Sequence, residues 1–191
     1  MIYIIRHGQT EKNKANVLQG RSDVPLNEAG VRQAEEAAKR FAEQGIAFDA
    51  VYSSPLSRAA DTGKIASGGI SPHLDARLIE MEYGPYEGLD LTAPPPEIIE
   101  FFSDFVHNPA PEGMEQLSEV TERVGRFLEE IRGRAAQERI LISTHAIAMK
   151  GALEYLTPDS NGAYWSRYIG NCAVYAIPLE NGEYDVPYEI Y

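Results

Sequence analysis

The chain has a single cysteine, Cys172, among its 191 residues, which excludes an internal disulfide framework and fits a reducing compartment. It also has no run approaching the roughly 18 consecutive apolar residues of a membrane span. The opening Met1-Ile2-Tyr3-Ile4-Ile5 meets Arg6-His7 too soon for a signal-peptide core and lacks a basic leader. A cytoplasmic protein is expected. Positive charge is scarce as well: 17 Lys and Arg stand against 29 Asp and Glu, a formal net charge of −12. Nucleic acid and anionic membrane are disfavoured as partners, because both require a basic footprint that displaces counterions. If the protein binds an anion, the positive charge must be local.

What is present is ordinary for an ordered globular chain, with 43% hydrophobic and 24% charged residues. A chain of this length buries roughly 70% of its unfolded surface and needs neither metal nor disulfide to hold a core. The short apolar run Ile2 to Ile5 predicts a strand buried on both faces. Asn27 can cap a helix whose apolar residues Val31, Ala34, Ala38, Phe41 and Ala42 recur at helical steps until Gly45. Ala50 to Ser53 reads as a second strand, followed by a helix from Ser57 to about Ala66.

Residues 67–111 are irregular and rich in Gly and Pro, with a short helix expected over Glu97 to Val106. Such a segment suits a cap or substrate wall inserted into one domain spanning 1–191. Leu117 to Ile131 restores the helical period, Ile140 to Thr144 predicts another buried strand, and Ala146 to Leu156 a helix. Ala173 to Leu179 and Tyr184 to Ile190 flank a turn at Asn181-Gly182. The fold expected is a three-layer α/β/α sandwich with a mostly parallel central sheet and an antiparallel edge strand, whose ligand site lies at the carboxyl ends of the strands. An exposed hairpin edge would permit a homodimer.

Three polar clusters fall just after predicted strands: Arg6-His7-Gly8, Arg58 and His145. Two arginines and two histidines make a poor metal site, since guanidinium groups repel a cation and two imidazoles leave it under-ligated. They make a good oxyanion site, because arginine presents a rigid fork of donors matched to phosphate oxygens. A neutral imidazole can attack phosphorus if the nitrogen facing the substrate is unprotonated. No metal or other cofactor is required in principle.

Four blocks in sequence order carry a resemblance. Arg6-His7-Gly8-Gln9-Thr10 with Asn13, then Gln19-Gly20-Arg21 through Gly30, form the first. Ser53 to Ala59 is the second, Leu78-Ile79-Glu80 through Gly88 the third, and Ser143-Thr144-His145-Ala146 the fourth. Together they resemble the histidine phosphatase superfamily, the phosphoglycerate-mutase-like enzymes.

The resemblance implies a phosphohistidine formed on His7, with Arg6, Arg58 and His145 around the phosphoryl oxygens. It assigns the leaving-group proton to a carboxyl group, Glu80 by motif register, with Glu82 as competitor two residues on. Asn13, Gln19 and Gly20 should contact the phosphoryl group, and Arg21 should help draw in the anion. Two departures stand out: His145-Ala146 where the family commonly has His-Gly, and Gly113-Met114-Glu115 where it commonly has Gly-Glu-Ser.

The bland readings are a satisfied histidine at His7, a surface ion pair at Arg58, a core histidine at His145 and a solvated arginine at Arg21. Set against the four blocks, the first three apply better elsewhere, while for Arg21 the solvated and the functional readings stand level. His73 and His107 match no block, Cys172 reads as a buried inert thiol, and Tyr155, Tyr164, Tyr168 and Tyr175 as core or pocket wall. The leading expectation is a phosphomonoesterase acting on a small phosphorylated metabolite. The alternatives are a phosphoglycerate mutase using the same phosphohistidine and a non-catalytic phospholigand-binding module.

Overall fold

The computed structural model describes all 191 residues. Strand β1 (Ile2–Arg6) alternates its side chains strictly between two cores. Ile2 and Ile4 face one side with Val124, Phe127, Leu128 and Leu153. Tyr3 and Ile5 face the other with Ala34, Ala37 and Phe41. A strand with both faces buried must be apolar throughout, which is why Ile-Tyr-Ile-Ile has no polar interruption. Helices α2 (Glu28–Glu43) and α3 (Ser57–Ala66) therefore cover one face, and α5 (Leu117–Ala135) and α6 (Ala146–Leu156) the other.

The main sheet has the order β3-β2-β4-β1-β5-β8, where β2 is Ala50–Ser53, β3 His73–Leu74, β4 Ile140–Thr144, β5 Val174–Ile177 and β8 Tyr188–Glu189. Strands β3, β2, β4 and β1 are parallel; β5 runs antiparallel to β1, and β8, antiparallel to β5, resumes the common direction. The register sets Arg6 beside Thr144 and Ser53 beside Ser143. The loops after β1, β2 and β4 consequently leave the same edge of the sheet, and His7, Ser54 and His145 each follow immediately.

Local signals account for most boundaries. The Asn27 side chain caps α2 by accepting from the Gly30 N–H at 2.9 Å. At Asn181-Gly182 both residues have positive φ, 53° and 83°. That fits the tight turn of a small hairpin between β6 (Leu179–Glu180) and β7 (Glu183–Tyr184).

Four details differ from the sequence expectation. Helix α4 spans Pro96–Ser103 rather than reaching Val106, because Asp104 Oδ1 accepts from the Val106 and His107 amides and replaces the next helical turn. His73–Leu74, inside the irregular stretch, forms edge strand β3; both residues are exposed, so no hydrophobic pattern marks them. The C-terminal strands do not pair as one long hairpin: past Ile177 the chain makes the separate β6–β7 sheet, and β8 returns to β5. A one-turn helix α1 (Glu11–Lys14), held by a Thr10–Asn13 capping box, interrupts what reads as a polar loop. No helix is long and apolar enough to cross a membrane.

Candidate active site

The backbone brings the first block together before any side chain is considered. A side chain at Gly8 would collide with the backbone of Gly30, and one at Gly30 with the backbone of Gln9. The loop after β1 therefore lies flat against the start of α2. The Gly8 N–H donates to Thr62 Oγ1 at 3.0 Å, and that hydroxyl donates to the Arg58 carbonyl at 2.7 Å, which ties the loop to α3.

His7 is buried, with its Nδ1 2.7 Å from the Gly8 carbonyl oxygen. A carbonyl only accepts, so Nδ1 carries the proton and Nε2 is the unprotonated nitrogen of the neutral ring. Burial, reinforced by the charges of Arg6 and Arg58, holds this imidazole well below the ordinary histidine range. His145 is the N-cap of α6 and is fully buried; its ring lies 5.1 Å from that of His7, inclined by 61°. Its Nε2 is 2.8 Å from Ser54 Oγ. Burial first, then the field of His7 and of the arginines Arg58, Arg6 and Arg123, keeps it uncharged as well.

Both arginines are anchored at their tips. Arg58, fully buried, donates from Nη2 to the Gly20 carbonyl at 2.6 Å and from Nη1 to the Ser22 carbonyl at 2.9 Å. Arg6 donates from Nη1 to the Ile169 carbonyl at 2.6 Å. In each, burial lowers the guanidinium pKa while the nearby Glu80 carboxylate opposes that shift. The Nε of each is buried and has no partner in the protein.

The only other buried side-chain nitrogens without a partner are Gln19 Nε2 and His145 Nδ1. Buried polar groups are almost always paired. Here the four exceptions all belong to residues that the sequence singled out, and three of them, the two Nε–H groups and the Gln19 amide, can only donate.

Glu80 and Glu82 separate cleanly. Glu80 is 4% exposed, and its carboxylate closes the amino end of α6: Oε1 accepts from the Met81 and Ala148 amides at 2.8 and 3.1 Å, Oε2 from Ile147 at 3.2 Å. Oε2 keeps one lone pair uncommitted. The Glu82 side chain is 53% exposed and pairs with Arg21 at 2.6 Å. Arg21 itself is bound on two sides, by Glu82 and by Glu115 at 3.2 Å, so its charge is already neutralised.

Glu115, from the second departure, also accepts from Arg123 at 2.7 Å and from the Glu82 amide, while Arg123 donates to the Arg77 and Ile79 carbonyls. This pair clamps the segment that carries Glu80. The first departure is harmless, because Ala146 is the first residue of a right-handed helix and is absent from the positive-φ positions.

Gly20 is hemmed in: a side chain there would meet Glu87 Oε2 and the Met81 carbonyl, and its N–H donates to Glu87 at 2.8 Å. Asn13 Oδ1 is used by the Thr10 amide at 3.2 Å and lies 3.4 Å from Asn171 Nδ2. Tyr164 and Tyr175 are core, and Tyr155 is half-buried. Tyr168 is neither core nor enclosed: it is 87% exposed, beside Arg6. Cys172 is buried, and burial pushes its thiol up to about 12. His73 and His107 are exposed, His73 opposite Tyr52 on the edge strand and His107 paired with Asp104 at 2.7 Å.

The sequence reading missed three residues. Ser54 stands next to the β2 strand end and could have been taken from the second block. Asn171, which donates to the His7 carbonyl at 2.9 Å, and Glu87, which accepts from Gly20, Arg21 and Ser22, act across distances that no local pattern reveals. No group of three or more His, Cys, Asp or Glu side chains is placed to hold a metal ion. A groove of 720 Å³ lined by Arg32, Gln33, Arg40, Tyr168, Asn171 and Tyr191 among others lies outside the His7 cluster, beyond Asn171.

The family model "Histidine phosphatase superfamily (branch 1)" matches residues 2–187. A protein of Hydrogenobacter thermophilus named "Putative phosphoserine phosphatase 2" is 31% identical over 94% of this chain and 89% of its own length. A protein of Yersinia pestis named "Probable phosphoglycerate mutase GpmB" is 33% identical over 78% of this chain and 70% of its own. Among solved structures, a phosphoserine phosphatase mutant of Entamoeba histolytica in complex with phosphoserine superposes with a TM-score of 0.83. It covers 100% of this chain and 94% of that one at 24% identity, a likeness of fold. The sheet topology, the ordered motifs and these likenesses agree, and the chain belongs to branch 1 of the histidine phosphatase superfamily.

Proposed function

We propose that this protein is a phosphomonoesterase that hydrolyses a small phosphorylated metabolite through a phosphohistidine on His7, without a metal. The observation that carries the reading is the set of buried N–H donors lacking a protein acceptor, Arg6 Nε, Arg58 Nε and Gln19 Nε2, gathered with a neutral His7. A phosphoryl group supplies the oxygens such donors need, and each charge-assisted hydrogen bond contributes about 1.5–3 kcal/mol.

In the first step His7 Nε2 attacks phosphorus, the N–P bond forms and the P–O bond to the alcohol breaks. Charge on the equatorial oxygens is met by donors already in place, so little reorganisation accompanies the transfer. Glu80 acts here in its protonated form, the proton sitting on the free lone pair of Oε2, and delivers it to the departing alkoxide. The resulting carboxylate then takes a proton from water as its oxygen attacks the phosphohistidine, which releases phosphate and restores both groups. His145, tethered to Ser54, fixes the oxygens from the far side, and Arg21 holds the Glu82 side of the wall rather than the anion. The donor set also argues for metal independence, because two guanidinium groups repel a cation. The acidic exterior around a local cationic site suits a small phosphorylated metabolite in the cytoplasm.

The likeness to a protein named as a phosphoglycerate mutase favours one second reading, in which the phosphohistidine returns its phosphate to the bound product. That route requires water to be excluded while the intermediate waits. The discriminating experiment measures p-nitrophenyl phosphate hydrolysis, in the presence of EDTA, for the wild type and for His7→Ala, beside a coupled assay for 3- to 2-phosphoglycerate conversion. Hydrolysis that survives EDTA and disappears in a folded His7→Ala supports the phosphatase. Efficient isomerisation with negligible hydrolysis supports the mutase, and unchanged turnover by His7→Ala rejects both.

A further inference from the structure

Ser54 is fully buried, and its Oγ lies 2.8 Å from His145 Nε2. The backbone fixes where that hydroxyl sits. The Ser54 N–H donates to the Ser143 carbonyl at 3.1 Å, and the turn Ser54-Pro55-Leu56 folds back so that the Leu56 N–H donates to Oγ at 3.3 Å.

A serine hydroxyl has one proton and two lone pairs. The Leu56 amide occupies one lone pair, and the proton has no acceptor within reach except His145 Nε2. The imidazole is neutral and so holds a single N–H, on Nδ1 or on Nε2. Were it on Nε2, the ring would donate to Oγ. The buried hydroxyl proton would then lack an acceptor, and Nδ1, which has no partner in the protein, would be a bare lone pair. With the proton on Nδ1, Oγ–H donates to Nε2 and one N–H alone is left unpaired. Buried polar groups are expensive to leave unmet, so the hydrogen count selects the second arrangement.

We propose that Ser54 is a positioning residue that fixes the proton of His145 on Nδ1, making this ring a fourth N–H donor to the phosphoryl oxygens beside Arg6 Nε, Arg58 Nε and Gln19 Nε2. The inference deepens the phosphatase reading and rests on it for the anion; the position of the proton follows from Ser54 alone. Both rings then carry the same tautomer and do opposite work. In His7 the Gly8 carbonyl takes the Nδ1 proton and leaves Nε2 bare as the nucleophile, whereas in His145 Ser54 occupies Nε2 and leaves the N–H for the anion. The other tautomer of His145 would aim a lone pair at the phosphoryl oxygens and repel them.

The test reads the proton directly, by heteronuclear NMR of protein labelled in its histidine ring nitrogens. The His145 signals are assigned by their absence from His145→Asn and by their proximity to the His7 ring. In the wild type Nδ1 should be protonated and Nε2 bare, and inorganic phosphate should move the Nδ1 proton downfield as it gains an acceptor. In Ser54→Ala the two nitrogens should converge toward the averaged shifts of exchanging tautomers. A wild-type proton on Nε2, or an Nδ1 proton indifferent to phosphate, overturns the proposal without recourse to any variant. Ser54→Ala should also lower kcat/KM by roughly tenfold in the wild type and by less than about twofold in His145→Ala, because its effect passes through that ring. Where His145→Ala turns over too slowly, the same comparison is made on the dissociation constant of inorganic phosphate. A purely structural serine would cost the same in both backgrounds, and equal losses overturn the role given to Ser54. Failure of the phosphatase reading shows itself separately, as wild-type protein that hydrolyses no phosphomonoester while the His145 tautomer still reports on Ser54.

Discussion

The rings of His7 and His145 lie 5.1 Å apart and 61° out of parallel, one at the end of β1 and the other at the end of β4, with both kept neutral by burial. Adjacent parallel strands in register, Arg6 opposite Thr144, fix that separation. Two uncharged imidazoles can be packed so closely, whereas two imidazolium rings beside Arg6 and Arg58 would repel each other strongly in a buried site, where charges are poorly screened.

That relationship has a consequence for stability. The folded-state pKa of each ring is lowered, so below the unfolded value of about 6.5 the unfolded chain binds protons that the folded chain refuses. Stability contributed this way is present above pH 6.5 and is lost as pH falls. Each ring should contribute a slope of up to about 1.4 kcal/mol per pH unit. Urea unfolding at pH 7.5, 6.5 and 5.5 should show nearly flat stability over the upper interval and a decline over the lower. A variant with both rings replaced by Asn should lose the decline, and an unchanged slope in that variant would remove the histidines from the explanation.

Glu80→Gln keeps the size of the group and lets its amide oxygen accept from Met81 and Ala148, but gives up the bond from the Ile147 amide and removes the transferable proton. For an alkyl phosphate, whose alkoxide leaves poorly, kcat should fall by about 10²- to 10⁴-fold. For p-nitrophenyl phosphate, whose phenolate leaves without help, the fall should be much smaller. Equal losses on both would assign Glu80 to structure instead. Glu82→Gln, on the exposed side of the same segment, is expected to affect the two substrates alike and only slightly.

Arg58→Lys leaves a positive charge in place but cannot reproduce the two bonds to the Gly20 and Ser22 carbonyls. Leaving those carbonyls unpaired should cost about 1–3 kcal/mol of stability, visible in the urea midpoint. The loss of the oriented Nε–H should reduce kcat/KM by about 10²- to 10³-fold, as removal of a preorganised donor does. Retention of near-wild-type turnover would place Arg58 outside the phosphate shell.

Much of this arrangement was legible before any coordinates. The strands β1, β2 and β4 are apolar because both faces are buried, and such runs advertise themselves; Asn27 and Gly30 announce the start of α2 through a local hydrogen bond. His7, Arg6, Arg58 and His145 sit at strand ends or helix starts that those elements define. The hidden parts depend on contacts between distant residues or on elements too short to show a period. Strand β3 is two exposed residues, and the end of α4 turns on one Asp104 side chain. Arg21 reads as a free cation until Glu82 and Glu115 are seen to enclose it, the latter from 94 residues along the chain.

The measurement that bears most directly on the central claim is chemical trapping of the intermediate. Wild-type protein mixed with a phosphomonoester labelled in its phosphoryl group and quenched in alkali should carry an alkali-stable, acid-labile label, located by peptide mass spectrometry on His7 and absent from His7→Ala. A label that survives acid, maps to another residue, or never forms while hydrolysis proceeds would contradict the account.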